Sequence, residues 1–361
     1  MTIGHGAPGG RALPEMLMMK AVIFRDHGGI EKLEYADVPE PKISAEEVSV
    51  RVRGCALNHL DIWVRQGLGI PIDMPHIGGS DIAGEVAAVG ANVKNLKPGQ
   101  RVIVSPGVTD GAIDEWTTSG WDSMSPSFDI VGMRRQGGYA EFAKAHHSDV
   151  LPVSDKLSFE EWAAIPLVTL TAWHMLVTRA QLRAGETVLV HAAGSGIGAM
   201  AIQVAKLCGA SLVITTVGSD EKAAKALALG ADVVINYRKQ DFAEEVLKLT
   251  NKRGVNVIFE HIGPETWPKN LSCLARLGRM VTCGATSGPQ ATMEIRGLYV
   301  RQHTIMGCYM GGRKELLEVL RLVEAGKLRP VVDRMFPLKE ATAAQQYMLD
   351  RKNFGKIVLK V

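Results

Sequence analysis

Cysteine is scarce in this sequence: Cys55, Cys208, Cys273, Cys283 and Cys308 are scattered through 361 residues, with no C-x-x-C pair. An odd number without a spacing framework excludes a disulfide-stapled scaffold and suits a reducing compartment, so a cytoplasmic location is expected. No apolar run reaches the roughly 18–20 residues that span a bilayer, and no membrane partner is expected. Basic residues number 41 against 38 acidic, and the resulting +3 is spread without a basic run or an arginine-rich arm. That excludes the electrostatic footprint of a nucleic-acid or anionic-lipid binder. Internal repeats and low-complexity tracts are missing too, which excludes a solenoid.

What is present is the make-up of a soluble globular protein, with 46% apolar and 22% charged residues. At this length two domains of about 100–200 residues each are expected. The opening "MTIGHGAPGGRALPEMLMMK" is rich in glycine and proline and lacks the apolar core of a signal peptide, so residues 1–18 are expected to be a disordered extension, with folding from Met19. Residues 19–154 read as β-rich, with short β-branched runs ("EEVSVRVRG", "RVIVSP") between turns such as "KPGQ", the pattern of a barrel or sandwich. Residues 155–303 alternate strand and helix: "TVLVHAA", "AMAIQVAKLCG", "SLVITTV", "SDEKAAKALALG", "DVVIN", then "VNVIFE" and "RMVTCG". Such alternation implies a parallel sheet with right-handed crossovers. Residues 304–361 hold one more strand, a helix near 313–325 and the terminal strand "GKIVLKV".

The strongest local signal is "HAAGSGIGAMAIQVAK", glycines between a strand and a helix. Gly194, Gly196 and Gly198 leave room for a phosphate to approach the backbone, and the free N–H groups of the following helix, around Ser195 and Ile197, point at the anion. The spacing reads as G-x-G-x-x-A from Gly194, a variant of the dinucleotide pattern. The end of the next strand separates the two nicotinamide cofactors, because an acid there accepts from the ribose hydroxyls of NAD and repels the extra phosphate of NADP. Here Val217 holds that place, with Ser219 and Lys222 following, so NADP(H) is favoured. On the other reading Ser219 only caps the helix, Lys222 is solvated, and Asp220 is the nearby acid.

Together with that motif, "PHIGGSDIAGEVAAVG" (75–90), "LKPGQRVIV" (96–104), "GGYAEFAKA" (137–145), "AAIPLVTLTAWHML" (163–176), "LGADVVINY" (229–237) and "FGKIVLKV" make the chain from Met19 to Val361 resemble the medium-chain dehydrogenase/reductase superfamily. The resemblance implies an α/β fold: a Rossmann-type parallel sheet domain inserted in a GroES-like β-barrel catalytic domain, with the active site between them. Many members carry a catalytic zinc, and "GCALNHLDIW" (54–63) offers Cys55 and His59. By the family's pattern, however, the three zinc positions fall on Asn58, Ser80 and Leu167, and Cys55 is out of register. An amide, a hydroxyl and a leucine make no zinc site, so no metal is expected, and His59 is assigned to the cofactor's pyrophosphate. A lobe that binds a second, structural zinc in some relatives is retained at 105–128 without cysteine, with Asp110, Ile113 and Trp116 at the ligand spacing. Packing of Trp116, Trp121 and Phe128 is expected to hold it.

The zinc-free branch contains quinone oxidoreductases and enone reductases, whose acceptors delocalise the charge that a hydride brings. By resemblance Thr171 lies against the nicotinamide, Cys283, Gly284 and Ala285 approach the same end, and Lys356 lies near the cofactor. Asn58 and Ser80 become candidate contacts for the acceptor oxygen, with Asp61 and Asp81 supporting them. Trp63 stands where some zinc-free relatives have tyrosine, so protonation is expected from water. The expected activity is NADPH-dependent, zinc-independent reduction of a small quinone or α,β-unsaturated carbonyl. The alternatives are an alcohol dehydrogenase and a non-catalytic NADPH-binding protein. A homodimer or homotetramer is expected by the same resemblance.

Overall fold

The computed structural model describes residues 17–361; the expected extension therefore lies, apart from Leu17 and Met18, outside the described residues. The first strand, Met18–Phe24, opens one residue earlier than expected and pairs with Glu34–Pro39 and His76–Ile77. The barrel is built on Glu47–Ala56, where Val48, Val50 and Val52 are buried while Arg51 between them is exposed. This period-2 alternation is what puts one face of a strand into a core. The strand pairs antiparallel with Asp81–Val89, Phe142–His146 and, at its end, Lys356–Lys360, which brings the last strand of the chain back to the first domain. Val332–Pro337 lies beyond Lys356–Lys360, and Arg101–Val104 and Val150–Pro152 extend the other side.

The second sheet has six parallel strands in the order Val233–Asn236, Leu212–Val217, Thr187–Val190, Val255–Glu260, Leu274–Thr282 and Thr304–Gly307. Val188, Leu189 and Val190 are fully buried, as both-face coverage of a central parallel strand requires. The order reverses between Thr187–Val190 and Val255–Glu260, and a crevice opens at the carboxyl ends on either side of such a switch. One expected boundary moves. Thr304–Gly307 pairs with Arg279–Thr282, so the parallel sheet continues past 303, and the chain rejoins the barrel sheet at Val332–Pro337. "TIMG" is a short edge strand with no fully buried residue, which gives it no apolar run to announce it.

The lobe at 105–128 is held differently from expectation. Asp114 caps the short helix Glu115–Ser119 by accepting from the backbone N–H of Trp116 and Thr117, both at 2.9 Å, and takes the Ser125 hydroxyl at 2.5 Å. Phe128 packs edge-on to Tyr309 and Trp121 edge-on to His174. Trp116 is 38% exposed, so it contributes its backbone more than its ring.

Candidate active site

A cavity of about 660 Å³ lies between the barrel and the carboxyl ends of the parallel strands, lined from both domains. Asn58, His59, Thr171, Gly194, Ser195, Gly196, Ile197, Ser219, Lys222, Cys283, Gly284 and Lys356 all face it. Five other expected residues do not. Asp61 and Asp81 are buried and hydrogen-bond to Asn58. Ser80 is fully buried, outside the lining, and its hydroxyl has no hydrogen-bond partner. Ala285 turns away, accepting from the N–H of Gly288 at 3.0 Å. Gly198 serves packing, since a Cβ there would collide with the carbonyl of Ala192 and push the helix off its strand.

The turn after Thr187–Val190 passes through Ala192, at φ +52°, into the helix Gly196–Leu207. Ser195 caps that helix by accepting from the Gly198 N–H at 2.9 Å, and so the first-turn amides of Gly196 and Ile197 stay free toward the cavity. This is the anion-binding end of a helix dipole. A Cβ on Gly196 would come 2.6 Å from Cδ of Lys356, so glycine there lets a barrel side chain lie across the turn. The barrel segment touches the turn again where the Gly355 N–H donates to the Gly194 carbonyl at 2.9 Å.

At the end of the second strand, Val217 is buried and lines the cavity. Ser219 occupies the cap position of Asp220–Ala228 without making a side-chain cap bond, leaving its hydroxyl uncommitted. Asp220 takes the Lys239 ammonium at 2.5 Å and the Asn236 amide at 2.8 Å. Those donors hold its carboxyl below the usual range and turn it to the neighbouring strand, and Asp220 is absent from the lining. Lys222 donates to the Arg351 carbonyl at 2.6 Å, and burial lowers its pKa. Tyr237, Arg238, Arg351 and Asn353 also line this end and escaped the sequence reading. The signal for Arg238 was its place just beyond the third parallel strand, where carboxyl-end loops gather.

At the barrel end the polar groups form one closed account. Lys356, 4% exposed at its side chain, donates to the Leu57 carbonyl at 2.7 Å, Asn58 Oδ1 at 2.7 Å and Asp81 Oδ2 at 2.9 Å, which uses all three ammonium hydrogens. Asp81 also accepts from Asn58 Nδ2 at 2.9 Å and from the Leu167 N–H at 2.8 Å. An ammonium only donates and a carboxylate only accepts, so the Asn58 amide has one orientation: oxygen to Lys356, nitrogen to Asp81. Its second N–H has only the Ala56 carbonyl at 3.5 Å and is the donor available to a ligand. Asp61 fixes the same residue from behind, accepting from the Asn58 N–H at 2.7 Å, the Tyr139 hydroxyl at 2.8 Å and the Gly79 N–H at 3.1 Å. Burial nonetheless raises the Asp61 carboxyl to about 6. The Thr171 hydroxyl donates to the Leu167 carbonyl at 2.7 Å.

Cys55 and His59 part company in the structure. Cys55 ends a barrel strand, fully buried against Gly79 and Gly138, and burial pushes its thiol well above the ordinary value. His59 opens the helix His59–Gln66 and lines the cavity; burial, then the charges of His261, Arg351 and Lys356, lowers its pKa to about 4. It is a neutral imidazole at neutral pH. At the three zinc positions of the family's pattern stand Asn58, Ser80 and Leu167. An amide already bonded to an ammonium, a hydroxyl with no outlet to the cavity and Leu167 do not fit a tetrahedral cation.

Comparison with known proteins agrees with this architecture. The alcohol dehydrogenase GroES-like domain matches residues 44–155 and the zinc-binding dehydrogenase family matches 196–325. A quinone oxidoreductase of Pseudomonas aeruginosa is 33% identical, the alignment covering 95% of this chain and 99% of that one. An NAD-dependent alcohol dehydrogenase of Sulfolobus acidocaldarius is 32% identical, with 95% and 100% covered. A solved structure of an NAD-dependent alcohol dehydrogenase superposes with a TM-score of 0.91 at 42% identity, covering 95% of this chain and 100% of that one. Fold, cleft and relatives together define an oxidoreductase. The chain belongs to the medium-chain dehydrogenase/reductase superfamily, in its quinone oxidoreductase-like branch.

Proposed function

We propose that this protein is an NADPH-dependent, zinc-independent reductase of quinones or α,β-unsaturated carbonyls. The observation that carries the reading is the Lys356–Asp81–Asn58 network: Asn58, at a zinc-ligand position by the family's pattern, is held by a buried ammonium and a buried carboxylate and presents one fixed amide N–H. When bound, NADPH supplies the hydride. The residues that would hold it are the free amides of Gly196 and Ile197 for the pyrophosphate, His59 beside them, and Ser219, Lys222 and Arg238 for the additional phosphate. Thr171, Cys283 and Gly284 line the nicotinamide end.

The acceptor oxygen meets the Asn58 N–H, and the Lys356 charge stabilises the anion through that polarised amide. Such a donor contributes less than a metal ion acting as a Lewis acid. It suffices for a conjugated acceptor, whose added charge is spread over several atoms, better than for a simple aldehyde. Asp61 and the neighbouring donors keep the amide in place before the reaction, so little reorganisation is needed. Trp63 lines the cavity and bears no phenol, so no proton comes from that position.

Steady-state rates with NADPH and NADH against quinones, enones, aldehydes and alcohols, with and without a chelator, test the proposal. Reduction of conjugated acceptors that survives chelation is the expected result. Turnover abolished by the chelator and restored by zinc, with no change in melting midpoint, would overturn it. Alcohol oxidation with NAD is the second reading, favoured by the 42% identity to the NAD-dependent alcohol dehydrogenase structure. Activity confined to alcohols in the same panel would establish it.

A further inference from the structure

On the barrel surface, away from the cleft, three donors of metal-binding type converge. The ligand atoms of Glu46, His146 and His147 all lie within 4.8 Å of one another, and none of the three residues lines the cavity. We propose that they form a binding site for a divalent cation of the zinc class.

The backbone explains why two consecutive histidines share a side. Alternating side chains of a strand point to opposite faces, but Phe142–His146 stops at His146, and His147 begins a tight turn of 3-10 helix. The two rings come to a centroid distance of 4.6 Å at 34°. Glu46 is carried to them by pairing of the neighbouring strand, in which Glu47 lies opposite His146 and the His147 N–H donates to the Glu46 carbonyl at 3.0 Å.

The donors are uncommitted in the manner a metal site needs. His147 Nε2 lies 3.6 Å from Glu46 Oε2, too far for a hydrogen bond, and its Nδ1 is buried without a partner. Neither ring nitrogen is held by the protein. His146 Nδ1 lies 2.8 Å from the Ser148 hydroxyl, with the Ser148 N–H at 3.3 Å. The Ser148 N–H donates to Nδ1, so a cation taken at Nε2 displaces that long contact and the ring then donates Nδ1–H to the hydroxyl, the outer partner that metal-ligating histidines normally have. Glu46 keeps one oxygen for the Asn92 amide at 2.5 Å and turns the other toward the rings. Two imidazoles and one carboxylate are borderline donors, suited to zinc and its neighbours and unsuited to magnesium or calcium, which prefer oxygen alone. With Glu46 46% and His147 29% exposed at their side chains, water completes the coordination. The His146 ring abuts Gly111 of the lobe, so an ion here pins two strands and the base of a loop that has no cysteine of its own.

The test uses the tag-free full-length chain, stripped with a chelator and titrated with zinc chloride by calorimetry. One equivalent is expected to bind, at least about tenfold more weakly in Glu46→Gln and in His147→Gln. The wild-type melting midpoint is expected to rise with zinc while those of the two variants, equal to wild type without metal, do not. Cobalt(II) is expected to give visible bands without thiolate charge transfer. Absence of binding, equal affinity in wild type and variants, or a thiolate band that assigns the ion to a cysteine would each overturn the proposal. Failure of the proposed reductase activity would leave it standing, because the readouts are binding, melting and spectrum.

Discussion

Lys222→Ala separates the two nicotinamide cofactors. A hydrogen bond to a charged group contributes about 1.5–3 kcal/mol, which at 1.4 kcal/mol per tenfold corresponds to roughly a 10- to 150-fold rise in the Kd of NADPH. In the coenzyme-free structure the ammonium already holds the Arg351 carbonyl at 2.6 Å, so contact with a phosphate exchanges one acceptor for another. Net loss therefore belongs at the low end, about tenfold. The same exchange provides the control. Loss of the Arg351 bond loosens the 351–356 segment over the dinucleotide turn for both coenzymes equally, so the informative quantity is the ratio of the two changes. Fluorescence titration of reduced coenzyme into wild type and variant measures both Kd values. NADPH should weaken about tenfold more than NADH. Equal weakening would refute the assignment of this corner to a phosphate.

Other residues make different demands. Val217→Asp should shift preference toward NADH, by adding an acceptor for the ribose and a repulsion for the phosphate, read as the NADH/NADPH ratio of kcat/KM. Val217 is 1% exposed, so some loss of melting temperature should accompany the change. Asn58→Leu removes the amide donor that Lys356 and Asp81 orient, and kcat should fall by about 100-fold or more with KM changed far less; an unchanged kcat would remove Asn58 from the chemistry. Asp149 offers a test of stability against pH. Burial, then the nearby Asp110 charge, raises its carboxyl from 3.8 to about 6, and its Oδ2 has no partner. An acid whose folded pKa lies above its unfolded one binds more protons when folded, so stability should fall as pH rises from about 4 to about 6, by up to about 3 kcal/mol at 1.36 kcal/mol per unit. Urea midpoints across that window should flatten in Asp149→Asn; an identical slope would exclude Asp149 as the source.

The parts legible in the sequence were those written in neighbouring residues. The strand, glycine turn and helix from Thr187 to Leu207 lie within one continuous stretch, and their periodicity declares them. The sequence could not distinguish Gly196, across which a lysine lies, from Gly198, which packs on Ala192. Lys356 illustrates the harder kind. Its role depends on Asn58, 298 residues away, and on Asp81, 275 away, and only the folded barrel shows its ammonium saturated. Ser80, expected at the acceptor, is instead buried outside the cavity lining with an unpartnered hydroxyl, because a family pattern does not report how far a side chain reaches. Glu46 and His146 likewise meet only through strand pairing, a hundred residues apart.

The position of Lys356–Lys360 between Glu47–Ala56 and Val332–Pro337 has a consequence for biosynthesis. All six parallel strands precede residue 308, so the inserted domain can form while the ribosome is still translating. The barrel sheet stays open beside Glu47–Ala56 until Val332–Pro337 and Lys356–Lys360 have been made. The cleft between the two domains is thus completed only after the parallel sheet has all its strands.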